Sequence, residues 1–266
     1  MYAFQYHRPG SVGEAAALLG KLGEGKALAG GQTLIAAMKL RLAQPSDLVD
    51  LGGIAELSGV AADGDALVIG ALTRHADVAA SADVRKRIPA LAHLAGGIGD
   101  RQVRASGTLG GSIANNDPAA DYPAGVLGLG ASIVTSQRSI AADDFFTGMY
   151  ETALKPGELI KSVSFPVPQR AGYAKFANPA SRFALIGVFV SQGGNGAVRV
   201  AVTGGGSGVF RAVELEKALT ANFTPDAAAA VKPGAERFSG DLHASPEYRA
   251  HLVSVMARRA VAAALG

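Results

Sequence analysis

The sequence predicts an α+β protein, with a larger N-terminal domain of mixed helices and strands followed by a smaller α+β domain built on an antiparallel sheet. Helical and strand-like runs alternate as far as Pro166-Val167-Pro168, where the chain breaks. Beyond the break, two apolar runs, Phe183 to Ser191 and Ala197 to Val202, flank Gly193-Gly194-Asn195-Gly196, residues suited to the φ > 0 positions of a hairpin turn. Two glycine-centred segments, Ala29-Gly30-Gly31-Gln32-Thr33-Leu34 and Thr108-Leu109-Gly110-Gly111-Ser112-Ile113-Ala114-Asn115-Asn116-Asp117, punctuate the first part. Each pairs bare backbone with small hydroxyl or amide side chains, a composition that suits two loops closing on one diphosphate.

The elements follow in order. Ala3 to Arg8 reads as a strand, and Ser11-Val12-Gly13-Glu14 as a capping box for a helix to about Lys21. Lys26 to Ala29 is a short strand running into Gly30-Gly31, after which Leu34, Ile35, Met38, Leu40 and Leu42 recur at helical spacing until Gln44-Pro45. The first glycine pair therefore sits at a strand-to-helix junction, which aims free N–H groups and the positive end of a helix dipole at whatever the loop holds. Asp47 to Leu51 and Leu67 to Gly70 are strands, with Thr73 as N-cap of a helix from Arg74 to Ala80. Pro89 to Leu94 is helical in pattern and Gln102 to Arg104 strand-like. Tyr122-Pro123 opens a helix or strand to Leu129, and Ala131 to Ser136 is a strand. Lys155-Pro156-Gly157-Glu158 turns the chain before Leu159 to Phe165. Phe210 to Leu219 and Glu247 to Leu265 read as helices of the smaller domain. Domains are expected over residues 1–168, in subdomains of about 1–55 and 56–168, and over 169–266.

A chain of 266 residues, 48% hydrophobic, can bury roughly three quarters of its unfolded surface. Its 35 glycines fall in short clusters without a collagen period, so they specify turns. With no cysteine, the chain can hold neither a disulfide, an iron–sulfur cluster nor a thiolate zinc site. The first ten residues show no secretion signal and no apolar stretch approaches the ~20 residues of a membrane span, so a soluble, cytoplasmic protein is expected. Net charge is +3 and Arg85-Lys86-Arg87 is the one basic cluster, too small for a nucleic-acid surface.

Each motif has a plainer reading beside the functional one. Gly30-Gly31 alone also fits an ordinary tight turn. The second segment crowds Asn115, Asn116, Asp117 and Asp121 beside Gly110-Gly111, which suits a diphosphate plus a ribose, or else a capped helix start at Asp117-Pro118. Thr203-Gly204-Gly205-Gly206-Ser207-Gly208 lacks the Gly-Lys-Ser/Thr ending of a phosphate loop and reads as a strand-to-helix turn. The five histidines show no metal spacing, and there is no nucleophile elbow. Tyr173-Ala174-Lys175-Phe176 and Ser181-Arg182 place cations just past the domain break, either as surface charge or, beside a flavin, near its pyrimidine edge.

Four stretches in order, AGGQTLIAAMKLRLAQPSDLVDL (29–51), GTLGGSIANNDPAADYPA (107–124), GELIKSVSFP (157–166) and YAKFANPASRFALIGVFV (173–190), resemble the landmarks of the FAD-binding medium subunit of molybdenum hydroxylases, the group of xanthine, aldehyde and carbon monoxide dehydrogenases. The resemblance implies a two-subdomain FAD-binding domain of the vanillyl-alcohol-oxidase (PCMH) type and a C-terminal domain of the carbon monoxide dehydrogenase flavoprotein type. It implies that non-covalent FAD is held by Ala29, Gly30, Gly31, Gln32, Thr33 and Leu34 at the pyrophosphate, and by Thr108, Gly110, Gly111, Ser112, Asn115 and Asp121, the aspartate on the adenosine side. Ile160 would pack on the ring system and Lys175 would lie near it. Many relatives carry Asn-Arg-Gly where this chain has Ala105-Ser106-Gly107, and His-Ala-Asp where it has Asn115-Asn116-Asp117. The resemblance further implies an oxidoreductase subunit that takes electrons from the [2Fe-2S] clusters of a small subunit, beside a large subunit holding the molybdenum cofactor, in a dimer of heterotrimers. It would pass them to NAD, a quinone or oxygen. The alternatives are a stand-alone flavin oxidase or dehydrogenase, and a nucleotide-binding assembly subunit without redox chemistry.

Overall fold

The computed structural model describes all 266 residues. Its first layer is a three-stranded parallel sheet in the order Gln5–His7, Asp47–Asp50, Lys26–Leu28. Parallel neighbours need crossovers, and the helices Val12–Lys21 and Leu34–Lys39 lie in those two connections. The expected capping box forms: Ser11 Oγ accepts from the Glu14 amide while the Glu14 carboxylate accepts from the Gly10 amide.

A five-stranded antiparallel sheet follows, in the order Val60–Asp63, Ala66–Gly70, Ile160–Pro166, Ser132–Thr135, Ser139–Ala141. Between its second and third strands in the chain lie the helices Pro89–Gly96, Leu109–Asn115 and Tyr122–Gly128, whose Leu91, Leu94, Leu109, Ile113 and Val126 pack with Leu67, Ile69, Val163 and Phe165 in the largest core. Glu158 fixes the turn that leads into Ile160–Pro166. Burial would push its carboxyl up, but hydrogen bonds from Arg138, Thr135 and the Lys155 amide outweigh that and bring it to about 2.

The C-terminal sheet is antiparallel, in the order Arg170–Ala177, Ala184–Gln192, Val198–Thr203, Phe210–Arg211. Ile186, Val188, Val190, Val200 and Val202 face the helix Pro246–Leu265 through Val253, Met256 and Ala260. Phe189 and Ala201, on the opposite face, join the large core. Burial on both faces explains why Ala184 to Val190 reads as an unbroken apolar run. Gly172 lets the long helix approach, because a Cβ there would overlap the Ala260 carbonyl oxygen.

Several local expectations are corrected. Gln102 to Arg104 lies in a helix, Arg101–Ser106, started by Asp100, whose carboxylate accepts from the Val103 amide at 2.8 Å. Thr73 does not cap the next helix, His75–Ala80; its hydroxyl pairs with the Gly59 backbone. The helix after the first glycine pair stops at Lys39 and leaves Leu40 and Leu42 exposed. Phe210-Arg211 is an edge strand and the helix begins at Val213, so the Thr203 to Gly208 segment joins two strands. No helix is long and apolar enough to cross a membrane.

Candidate functional site

The fold brings the two glycine segments into contact. Gly30 packs on the backbone just ahead of the second segment: a Cβ there would overlap the Ser106 carbonyl oxygen and lie 2.7 Å from Gly107 Cα. Ser106 Oγ donates to the Gly30 carbonyl at 2.8 Å. On the other side, a Cβ on Gly111 would come within 3.5 Å of Ala29 Cβ.

The two segments differ in what they leave open. Gly31 adopts φ +69°, and the five consecutive amides Gly30, Gly31, Gln32, Thr33 and Leu34 meet no acceptor within the protein. Thr33 heads the helix without a side-chain capping bond, and Gln32 and Thr33 are exposed. Successive free amides around a left-handed glycine form a concave anion-binding nest. In the other segment the first-turn amides are already engaged: Leu109 donates to Thr73 O, Gly110 to Ala71 O and Gly111 to Thr108 Oγ1. The expectation that Gly110 and Gly111 offer backbone donors is therefore corrected. Gly110 is glycine because a Cβ would lie 2.6 Å from Ala71 Cβ. What stays open here is the Thr108 amide and the side chains of Ser112 and Asn115, none of which has a partner in the protein.

The polar cluster separates into distinct jobs. Asn116, at φ +45°, ends the helix and its Nδ2 donates to Gly148 O and Glu151 O, while Asp117 accepts from the Ala119 amide. Asp121 is buried, accepting from Tyr173 Oη at 2.5 Å and paired with Lys175 Nζ at 2.9 Å. Lys175 also donates to Gly97 O and Arg182 O, which fills its three donors. The resemblance sets Asp121 at the adenosine end and Lys175 at the ring end of one dinucleotide; in the structure they neutralise each other. Ile160, 6% exposed, opens its strand in the same core as Leu109 and Ile113. Its neighbour Lys161 accepts through its carbonyl from the amide of Ala71, the residue that also receives Gly110. A hollow of ≈ 910 Å³ beside the first sheet touches these residues only at Leu34.

Sequence reasoning misses His75. Its buried ring lies against Gly107, where a Cβ would come within 2.6 Å of Nε2, and 5.3 Å from the Tyr122 ring. Burial, followed by the nearby Arg104 charge, lowers its pKa from 6.5 to about 4. A histidine lowered in the folded state contributes stability that is complete above pH 6.5 and is lost as the pH falls toward 4. Urea unfolding should therefore show a loss of about 2 to 3 kcal/mol between about pH 7 and pH 4.5 that the His75→Gln chain lacks.

Residues 2–168 match the family described as the FAD binding domain in molybdopterin dehydrogenase. The chain belongs to that family. Its relatives extend the assignment over the whole chain: the carbon monoxide dehydrogenase medium chain of Hydrogenophaga pseudoflava is 38% identical over 98% of this chain and 96% of that protein. The nicotine 6-hydroxylase medium subunit of Paenarthrobacter nicotinovorans is 36% identical over 97% and 96%. Among solved structures, reconstituted CO dehydrogenase from Oligotropha carboxidovorans superposes with a TM-score of 0.92 at 34% identity, covering 99% of this chain and 98% of that one. The chain is thus an FAD-binding medium subunit of the molybdenum hydroxylase type, an oxidoreductase component. Its residues fit FAD: the Gly30–Leu34 nest supplies donors for a diphosphate, and the Thr108, Ser112 and Asn115 groups beside it suit further polar parts of a dinucleotide.

Proposed function

We propose that this medium subunit holds FAD non-covalently and relays electrons from the [2Fe-2S] clusters of a small partner subunit to an external acceptor, in a cytoplasmic complex whose large subunit carries the molybdenum cofactor. The observation that carries the proposal is the run of five unpartnered amides at Gly30 to Leu34, set directly against the second glycine segment. Residues 1–168 would supply both loops, and 169–266 would close over them through Tyr173 and Lys175. Ala29 to Leu34 would hold the pyrophosphate, Thr108, Ser112 and Asn115 would orient the remaining polar groups, and Ile160 would offer an apolar surface to the ring system. FAD, when bound, supplies the redox chemistry.

This chain's own residues bind, orient and shield. Asp121 and Lys175 saturate each other, and His75 is buried and neutral, so none of the three is free to act as an acid or base toward a substrate. That favours a relay over a stand-alone oxidase. A hollow of ≈ 420 Å³ at the junction, bordered by exposed Met149, Tyr150 and Phe183, opens next to Arg182, whose carbonyl holds Lys175. It gives an acceptor such as NAD, a quinone or oxygen a route to this region. A dimer of heterotrimers is the assembly proposed.

The test is reconstitution. The full chain, stripped of flavin and incubated with FAD, should regain about one equivalent per chain, bleach on dithionite, and reoxidise with an added acceptor. A chain that takes up no FAD refutes the proposal. Bound FAD that dithionite cannot reduce would point to an assembly role, and turnover of a small substrate by the isolated chain to an independent enzyme.

A further inference from the structure

We infer that Ser106 is a positioning residue for the dinucleotide loop: its hydroxyl, delivered by a rigid helix, fixes the Gly30 carbonyl and thereby the direction in which the nest's amides point. The inference rests on the FAD reading above and adds a residue that neither glycine segment contains.

The geometry begins with the helix Arg101–Ser106. It is short, yet anchored at both ends. Asp100 caps its start through the Val103 amide, and Arg104 Nη1 donates to Ile98 O at 2.9 Å and Gly99 O at 3.0 Å, folding the preceding turn against it. At its far end the Gly107 amide returns to Val103 O at 2.7 Å, and the Gly107 carbonyl accepts from the His75 amide. Ser106 is therefore held on both sides by backbone that leads into the second glycine segment. From that place Oγ reaches 2.8 Å to Gly30 O, across 76 positions of chain. This is the one hydrogen bond that ties the first segment to the approach of the other.

A planar trans peptide points its C=O and its N–H in opposite directions within one plane. Pinning the Gly30 carbonyl onto Ser106 thus pins the Gly31 N–H pointing away from Ser106. The φ +69° of Gly31 then sets the next peptide, and the Gln32 and Thr33 amides follow. Glycine at 30 and 31 leaves this stretch the most freedom to lose, so an external tie matters more here than it would on an ordinary loop. Holding donors in their binding geometry before the ligand arrives lowers the ordering cost of binding. Gly30 cannot carry a side chain without overlapping the Ser106 backbone, so the hydroxyl and the bare glycine act as one joint.

The experiment uses the full chain, deflavinated, with FAD itself as the probe. Ser106→Ala should raise the Kd for FAD about three- to tenfold, the range of one neutral hydrogen bond, mainly through faster release. The flavin-free chain should melt no more than about 2 to 4 °C lower, the effect of one hydrogen bond in a chain of this size, and Ser106→Thr, which keeps the hydroxyl, should restore the affinity. An unaltered Kd in Ser106→Ala overturns the inference while leaving the FAD reading intact. So does a loss of affinity accompanied by a fall in the flavin-free melting temperature of more than about 4 °C, or one that threonine fails to restore. If the unmutated chain itself binds no FAD, the functional reading fails first.

Discussion

Gly30→Ala is expected to yield a folded subunit that carries no flavin. The added methyl would overlap the Ser106 carbonyl oxygen and sit 2.7 Å from Gly107 Cα, and neither is the far end of a flexible side chain that can swing aside. Both belong to the helix end that Arg104, Asp100 and the Gly107 amide hold in place. One segment has to move, which parts the nest from Thr108 and Ser112. Overpacking of this kind costs about 1 to 3 kcal/mol in stability. The subunit survives that, but the separation removes the shared geometry, and FAD affinity should fall by about 100-fold or more, corresponding to roughly 3 kcal/mol. Gly31→Val should do the same by another cause, since its φ +69° disfavours a β-branched residue and Ile35 Cγ1 already lies 3.0 Å from the Cβ position. Gly13→Ala is the control: on an exposed helix face with nothing within 4 Å, it should keep its flavin and gain about 0.5 to 1 kcal/mol. Flavin absorbance per chain after purification, with melting curves alongside, separates the three variants. A flavin-replete Gly30→Ala chain would show that the two segments do not form one site.

The contrast between the two glycine segments explains what a sequence can and cannot reveal of such a site. The first is legible because its logic is local: a short strand, two glycines and a helix lie in one continuous run, so the free amides follow from the order of residues. Thr108 to Asp117 has the same composition, yet its Leu109 and Gly110 amides are taken by Thr73 and Ala71, which lie more than thirty positions earlier and show nothing in their own sequence to announce it. Asn116 shares a cluster with ligand-type side chains, although its role is to end a helix in the left-handed conformation that asparagine tolerates. Gln102 to Arg104 has a strand-like pattern over three residues, and the deciding feature is Asp100 just outside them, a helix cap. The C-terminal sheet is legible where glycine and asparagine mark its hairpin, and illegible at the strand Arg170–Ala177, whose apolar and polar residues do not alternate cleanly. The period of two along that same strand nevertheless puts Tyr173 and Lys175 on one face, where both reach Asp121.

Asp121→Ala should cost stability before it costs flavin. The resemblance makes this carboxylate a ligand whose loss would leave the fold untouched; the structure buries it between Tyr173 and Lys175 on a strand of the C-terminal sheet. Burial pushes the Asp121 carboxyl above its ordinary range, and the Lys175 charge with the Tyr173 and Lys175 hydrogen bonds recovers only part of that. The pair is thus an arrangement in which each partner needs the other more than the fold needs either. Removing the carboxylate alone leaves the Lys175 ammonium, with a side chain 11% exposed, held only by the Gly97 and Arg182 carbonyls, and it orphans the Tyr173 hydroxyl. The expected loss is about 3 to 5 kcal/mol, which for a chain of this size lowers the melting temperature by roughly 10 °C. Replacing both charges by apolar groups of similar volume, Asp121→Leu with Lys175→Met, should recover most of that loss, since an ion pair this deep offsets little of its own desolvation. The double-mutant cycle in flavin-free protein measures the coupling directly, and a double variant whose loss equals the sum of the two single losses would show the two residues to be independent. FAD titration of the double variant then isolates what the pair contributes to the cofactor once its structural part has been removed.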